Sequence, residues 1–340
     1  MLLQTTCYAR AGLIGNPSDG YYGKTVSCAF EDFSATVVMY ETPELQILPG
    51  EVDDAVFNDL DGLVKDVHLY GYYGGLRLLK ATAKIFAEYC REHGISLPRR
   101  NFTARYSTNI PRLVGLGGSS AICTAMFKSL IKFYEVTVAR EIIPTLCWQA
   151  EGRELGIQCG LQDRVIQVYE GLVFMDFNRQ LFEQRNYGHY VPLDPALLPR
   201  IYIAYDPRRA EISGVYHHRL KVLFDEKKPD VVAAMSEFAG FAQAMYEALV
   251  AGKKEKIPAL MNANFDLRDR IFNVSAENRN MVLAARRTGA SAKFAGSGGA
   301  IVGTYEDDAM YAALTQAMAG IGCSILKPAI GLGQFRPGLE

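Results

Sequence analysis

Apolar residues recur along this chain at two spacings, one typical of helices and the other of strands. Helical spacing predicts one helix that ends near Gly94 and another that follows a glycine-rich stretch; their apolar positions are Leu76, Leu79, Ala83, Phe86 and Tyr89, and Ile122, Met126, Leu130 and Phe133. Strands are predicted over residues 4–15, 26–39, 101–107 and 201–205. The same pattern predicts a helix over residues 142–155 and a strand, a glycine loop and a second strand over residues 292–304. Strands and helices are thus mixed throughout, which indicates an α+β fold.

A proline-rich stretch, residues 191–200, is the best candidate for a boundary between domains. The chain has 340 residues, which is enough for two domains with sizeable cores. We therefore expect one domain over residues 1–190 and another over residues 191–340.

The residues before the helix at Ile122 read IPRLVGLGGSSAICT, from Ile110 to Thr124. Glycines let an anion approach the backbone closely, and a helix N-terminus offers unpaired N–H groups and a partial positive charge. Taken alone, this stretch is either a phosphate-binding loop or a glycine turn followed by an ordinary serine cap.

Composition narrows the class of protein. Hydrophobic residues make up 49% of the chain, charged residues 21%, and the formal net charge is -1. This balance argues against nucleic acid or a membrane as the main partner, and we expect neither a secretion signal nor a transmembrane helix. The seven cysteines are scattered and form no C-x-x-C pair, which is typical of a reduced, cytoplasmic protein.

Two apparent motifs do not carry chemistry. Gly23-Lys24-Thr25 looks like the end of a P-loop, but Ser18 occupies the position where that motif requires its first glycine. His217 and His218 are adjacent, so their side chains diverge in a strand and in a helix, and we interpret them as structural or exposed.

Three glycine segments stand in an order that is more specific than any one of them. The first covers residues 9–19, the second residues 110–124 and the third residues 292–300. Their order and spacing resemble the three motifs of the GHMP kinases, the family of galactokinase, homoserine kinase and mevalonate kinase. The resemblance spans nearly the whole chain. It implies an N-terminal domain like ribosomal protein S5 domain 2 and a ferredoxin-like C-terminal domain, with ATP and the acceptor meeting in the cleft between them.

The resemblance also implies roles for individual residues. Asp163 falls at the catalytic aspartate and Arg10 at the basic residue of the first motif, while Asp19 falls at the acid that holds sugar hydroxyls. Asn16-Pro17-Ser18 replaces the more usual Glu-His-Thr before that acid. The triphosphate of ATP would lie against the second segment, at Gly115, Leu116, Gly117, Gly118, Ser119 and Ser120. Ser120 and Glu151 fall at the ligands of Mg²⁺, and Gly298 of the third segment at the substrate.

These roles agree with the chemistry of phosphoryl transfer, which needs positioning and neutralisation of charge. Mg²⁺ prefers a few hard oxygen ligands from protein, which a hydroxyl and a carboxylate supply. Asp163 would orient or deprotonate the attacking hydroxyl. Arg10 would keep Asp163 ionised and stabilise charge on the moving phosphoryl group.

Within the family, several stretches look like the glucuronokinases: residues 11–19, 71–79, 160–165 and 264–268, and Lys293-Phe294 before the third segment. This resemblance implies ATP- and Mg²⁺-dependent phosphorylation of the anomeric hydroxyl of glucuronate. A uronate needs a cation for its carboxylate, and Arg suits bidentate recognition. Arg164 and Arg268 are the candidates, with Arg208 and Arg209 in reserve.

Several alternatives stay open from the sequence. The acceptor is galacturonate or a neutral hexose in one alternative, and in another the chain is an inactive sugar or nucleotide sensor. An RNA-binding role would fit the S5-like domain but not the charge. Tyr72 and Tyr73 line the adenine pocket or form a packed aromatic turn, and the sequence does not indicate an oligomeric state.

Overall fold

The computed structural model of the protein describes residues 1–49, 53, 74–208 and 220–333. These residues form two sheets, which follow one another along the chain.

The first sheet has six strands, and its centre is a long antiparallel pair. Strand β1 (Leu2–Ile14) pairs with β2 (Lys24–Thr42) along most of its length, with irregularities between Tyr8 and Ala9 and between Gly12 and Ile14. Residues 35–42 of β2 pair with the strand Asn101–Thr108, and residues 24–28 of β2 pair with the strand Leu172–Asp176. The long strand β2 therefore connects the other strands of the sheet. The shorter strands are β3 (Gln46–Ile47), β4 (Asn101–Thr108), β5 (Leu172–Asp176) and β6 (His189–Leu193).

The described residues of this part of the chain form five α-helices: α1 (Gly75–Glu92), α2 (Gly118–Tyr134), α3 (Ile143–Trp148), α4 (Gln162–Tyr169) and α5 (Arg179–Arg185). Helix α2 packs on β1 and β2 and is buried over most of its surface, because its sequence is apolar on nearly every face. Helix α1 packs on α2. Of the apolar positions that predict this helix, Leu79 and Phe86 are buried, whereas Leu76, Ala83 and Tyr89 are half-buried.

Helix α3 continues as a π-helix over Gln149–Glu154. The sequence predicts one uniform helix over residues 142–155, and the structure differs in this wider last part. A π-helix re-aims the side chains of one turn and is frequent at functional sites. Here the affected turn carries Glu151.

The second sheet is antiparallel, in the order β10-β7-β9-β8. Its strands are β7 (Ile201–Tyr205), β8 (Lys293–Phe294), β9 (Ala300–Thr304) and β10 (Ser324–Leu326). The described residues of this half include the helices α6 (Pro229–Val250), α7 (Ile257–Ile271), α8 (Ala276–Arg286) and α9 (Asp308–Gly320).

One core joins the two sheets. Phe30 and Phe127 from the first half and Ile203 and Val302 from the second lie in the same buried cluster. Helix α7 contacts β1 as well as β8 and β9, so it stands at the junction. Residues 194–200 connect the two sheets and belong to the proline-rich stretch. The division into domains near residue 190 stays a prediction.

The α+β class is confirmed, and the strands and helices predicted from periodicity are present near their expected bounds. The last two residues of the P-loop-like sequence, Lys24 and Thr25, begin β2. The Nζ of Lys24 lies 3.3 Å from an Asp176 carboxylate oxygen. Lys24 is therefore part of a strand and not of a phosphate-binding loop.

Candidate active site

Arg10 connects all three glycine segments. It lies on β1 with 6% of its surface exposed, and its Nε and Nη2 each donate to one carboxylate oxygen of Asp163 at 2.6 Å. Its Nη1 donates to the Gly115 carbonyl and, at 3.4 Å, to the Ala295 carbonyl. A bidentate Arg–carboxylate pair fixes both groups and is roughly twice as strong as a neutral hydrogen bond. The two residues predicted to carry catalysis are thus held together at the first turn of α4.

The second segment ends in an open helix N-terminus. Gly117 is the N-cap of α2 at φ +77°, and no side chain caps the helix. The sequence allows a serine cap here, but no described side chain accepts a hydrogen bond from the first N–H groups of α2. Gly118 and Ser119 line the cleft in front of them. A helix start of this kind is suited to binding an anion.

Ser120 is buried behind that helix start, with 1% of its surface exposed. Its Oγ donates to the Gly117 carbonyl at 3.0 Å. A hydroxyl that donates its hydrogen keeps two lone pairs, so the oxygen can still serve as a ligand of a cation.

The third segment lies directly against the second. A Cβ added at Gly115 would be 2.7 Å from the Gly298 carbonyl oxygen, and one added at Gly296 would overlap the Gly115 carbonyl. Glycine is therefore required at both positions for the two backbones to meet. Arg268 of α7 holds the third segment from below, because its Nη1 and Nη2 donate to the Gly296 and Ser297 carbonyls at 2.9 and 2.6 Å.

Asp19 faces the same cleft from a short 3₁₀ helix, Ser18–Tyr21. Its carboxylate accepts a hydrogen bond from the Gln162 backbone N–H at 3.1 Å and lies so close to Gly160 that a Cβ there would overlap it. Burial and the neighbouring Asp163 carboxylate raise the pKa of Asp19 to about 6. Asp19 therefore changes charge near neutral pH.

Glu151 and Arg164 form a buried ion pair at the wall of the cleft. Their side chains are 0% and 3% exposed. Arg164 donates from Nε to Glu151 Oε2 at 2.9 Å, from Nη2 to the same oxygen, and from Nη1 to the Gly160 carbonyl at 2.8 Å. The guanidinium that the sequence offered for a substrate carboxylate is directed at Glu151 and Gly160 in this structure.

The residues predicted to hold Mg²⁺ fit a cation. Glu151 Oε1 has no hydrogen-bond partner among the described residues, although it is buried and its side chain lines the cleft. A buried anionic oxygen without a donor requires an explanation, and a cation ligand is one. The described part of the chain contains no group of three or more His, Cys, Asp or Glu side chains that could hold a metal. Mg²⁺ bound to nucleotide uses few protein ligands.

The structure therefore brings most of the predicted site residues into one cleft: Arg10, Asp19, Gly115, Leu116, Gly117, Gly118, Ser119, Glu151, Asp163, Arg164 and Arg268 all line it. Ser120 and Gly298 are adjacent in sequence to lining residues but are not part of the cleft wall. Arg208 pairs instead with Asp206. Tyr72, Tyr73, Arg209, His217 and His218 lie outside the described residues.

Some polar residues of this wall were not predicted from the sequence, and Asn16, Arg112 and Gln162 are among them. Asn16 and Gln162 are 5% and 3% exposed, and both line the cleft together with Arg112. Arg112 stands within the second glycine segment, and Gln162 immediately precedes Asp163. The available signal in the sequence was that these residues lie within or next to the motifs.

Within the described residues, no helix combines the length and apolarity needed to cross a bilayer.

Comparison with known proteins agrees with this geometry. Residues 77–171 match the family described as GHMP kinases N terminal domain. The chain is 42% identical to Glucuronokinase 1 of Arabidopsis thaliana over 301 residues, which cover 87% of this chain and 83% of that protein. It is 43% identical to Probable glucuronokinase 2 of the same organism, with 87% and 82% covered.

A solved structure extends the likeness to the complete fold. The galactokinase of Lactococcus lactis, crystallised with galactose, superposes with a TM-score of 0.74 over 97% of this chain and 94% of its own, at 17% identity. At that identity the likeness establishes the fold alone, and it is the fold that the three glycine segments imply.

Proposed function

Because this chain belongs to the GHMP kinase family, we propose that it transfers the γ-phosphoryl group of ATP to the anomeric hydroxyl of D-glucuronate, giving glucuronate 1-phosphate and ADP. The observation that carries the proposal is the Arg10–Asp163 pair, placed where the three glycine segments meet. The relatives named as glucuronokinases support the choice of acceptor.

Asp163 accepts the proton of the attacking hydroxyl. Its two oxygens are occupied by Arg10 from one side, while 19% of the side chain remains exposed toward the cleft. The fixed positive charge of Arg10 favours the ionised form of the carboxylate. The same guanidinium neutralises charge that develops on the transferred group.

The open start of α2 holds the triphosphate. The backbone from Gly115 to Ser119 lines the cleft, and the uncapped N–H groups of α2 favour phosphate oxygens. Ser120 and Glu151 are the proposed ligands of Mg²⁺, which would supply a counter-charge for the phosphate oxygens. Arg164 fixes Glu151 so that Oε1 stays directed away from the ion pair.

The acceptor lies against the first segment. Asp19 holds sugar hydroxyls, and Gly298 of the third segment belongs to the same acceptor site. Arg164 and Arg268 are the proposed sources of positive charge for the uronate carboxylate. Their N–H groups already donate to protein oxygens, so these buried guanidinium groups act through their charge, which in Arg164 is partly balanced by Glu151.

We further propose a domain division at residues 190/191, with residues 1–190 supplying the nucleotide site and residues 191–340 the third segment.

All seven cysteines, which lie in described parts of the chain, are free, and this supports a location in the reducing cytoplasm. The partners are small molecules, ATP and a uronic acid, rather than nucleic acid or a membrane.

The acceptor is tested by ADP release over glucuronate, galacturonate, glucose, galactose and mannose. We expect kcat/KM for glucuronate to exceed that for each neutral sugar at least tenfold, because buried cations favour an anionic acceptor. A reducing-sugar assay on the product checks the position, since a phosphate at the anomeric carbon removes the reducing end. Preference for a neutral sugar overturns the acceptor. Nucleotide binding without turnover of any sugar identifies a sensor instead.

The pH dependence gives a second test, directed at Asp19. Its pKa of about 6 means that the carboxyl is neutral below that pH and loses its strength as an acceptor for sugar hydroxyls. We expect kcat/KM for glucuronate to fall as the pH drops through 6, since this ratio reports ionisation of the free enzyme. The carboxyl of the sugar titrates near the ordinary range of about 4, well below that step. In the D19N variant the step should disappear, and its persistence assigns it to another group.

A further inference from the structure

Lys293 joins the two halves of the molecule underneath the cleft. It is the first residue of β8, with 1% of its surface exposed, and its Nζ donates to the Gly12 carbonyl at 2.6 Å and to Asn16 Oδ1 at 2.7 Å. A third bond goes to the Phe294 carbonyl at 2.6 Å. Three acceptors need three N–H donors, and an ammonium group has three. Lys293 does not line the cleft, whereas Asn16 does.

The first glycine segment has other ties to the C-terminal half. The Gly12 N–H donates to the Ala295 carbonyl at 2.8 Å. Asn264 of α7 accepts from the Gly15 N–H at 2.7 Å and donates to the Asn16 carbonyl at 3.4 Å. Residues 264 and 268 are one helical turn apart, so α7 holds the first segment with Asn264 and the third with Arg268.

Burying the Lys293 side chain in this way costs free energy of folding. Burial, together with the nearby charges of Arg268 and Arg10, opposes the charged form and lowers the pKa of Lys293 well below its ordinary value. The three acceptors around Nζ favour the ammonium form, because a neutral amine has only two N–H groups to donate. Among the described residues, the three hydrogen-bond acceptors of Nζ are carbonyl and amide oxygens, and none of them is a carboxylate. A residue that breaks the usual rule for buried charge without gaining an ion pair is expected at functional sites.

We propose that Lys293 is a positioning residue for the acceptor: it fixes the turn at residues 12–16 and thereby sets Asn16 and Asp19 against the sugar. The inference rests on the proposed function of this cleft. The chain between Asn16 and Asp19 is only two residues long, so a displaced Asn16 moves the carboxylate that should hold sugar hydroxyls. The triphosphate site at the start of α2 has no hydrogen bond to Lys293 among the described contacts.

The test is the K293M variant, which keeps an unbranched side chain of nearly the same length and removes the three donors. We expect the KM for glucuronate to rise at least tenfold, while the KM for ATP stays within about twofold of the wild type. K293Q, whose amide still donates, should recover part of the loss. Stabilisation against thermal unfolding by glucuronate should disappear in K293M, and stabilisation by ATP should persist. An equal change in both KM values, or none in either, overturns the proposal.

K254M is the matched control. Lys254 also donates from Nζ to two backbone carbonyls, those of Ala196 and Leu198, but it lies on the surface away from the cleft. Its KM values should not change. N264A removes the second tie to the same turn and should raise the KM for glucuronate selectively; it carries the test if K293M does not fold. The wild-type protein separates the two hypotheses: no turnover of glucuronate by it refutes the proposed function, whereas turnover with an unchanged KM in both K293M and N264A refutes only the role of Lys293.

Discussion

Replacement of Asp163 by Asn is expected to lower kcat by about 10²–10⁴-fold, the usual contribution of a positioned general base. The amide cannot accept the proton of the anomeric hydroxyl, and it meets Arg10 with an N–H group where an oxygen now accepts from Nη2 at 2.6 Å. The KM for ATP should change little, because the proposed triphosphate site is the backbone at the start of α2. Isothermal titration with ATP and the initial rate of ADP release measure the two effects separately.

D176N is the control for this substitution. Asp176 has a similarly exposed side chain, 22% against 19%, and pairs with Lys24 outside the cleft. It should keep full activity, so a loss confined to D163N is a loss of chemistry. Unchanged turnover in D163N removes Asp163 from the mechanism and leaves Arg10 without its proposed role.

Local sequence predicts the parts of this site that depend on backbone geometry. The glycines at positions 115, 117 and 296 are needed because of positive φ angles or direct backbone contact, and such requirements are visible as glycine in the sequence. The apolar spacing from Ile122 onward likewise predicts α2, because that helix is buried on its own apolar residues.

The contacts of the charged side chains could not be predicted in the same way. Arg164 is thirteen residues from Glu151, and Lys293 is 277 residues from Asn16. Such pairs are set by how α3, α4 and the second sheet pack, and not by spacing along one element. Hence the sequence indicated Arg164 as a ligand for a carboxylate but not that the carboxylate belongs to Glu151.

Replacement of Glu151 by Gln is expected to have two effects: loss of activity at ordinary Mg²⁺ concentrations and a lower free energy of unfolding. Arg164 would then be a buried cation without its counter-ion, and breaking a buried pair by removing one partner costs about 3–5 kcal/mol. The midpoint of urea unfolding, measured without nucleotide or metal, reports this cost independently of catalysis. The Mg²⁺ dependence of the remaining rate reports the loss of the anionic Oε1.

E154Q is the control from the same π-helix. Glu154 pairs with Lys84, whose side chain is 54% exposed, and solvent screens such a pair. Its unfolding midpoint and Mg²⁺ dependence should both match the wild type.

The double variant E151L/R164M separates the two roles of the pair. Apolar side chains of similar volume often replace a buried ion pair without loss of stability, so the unfolding midpoint should recover while activity does not. An active double variant would exclude Glu151 as a ligand of Mg²⁺. An E151Q protein as stable as the wild type would show that Arg164 is neutralised by some other group. If both expectations hold, the pair has one structural and one catalytic half: Oε2 neutralises Arg164, and Oε1 is the oxygen kept for the cation.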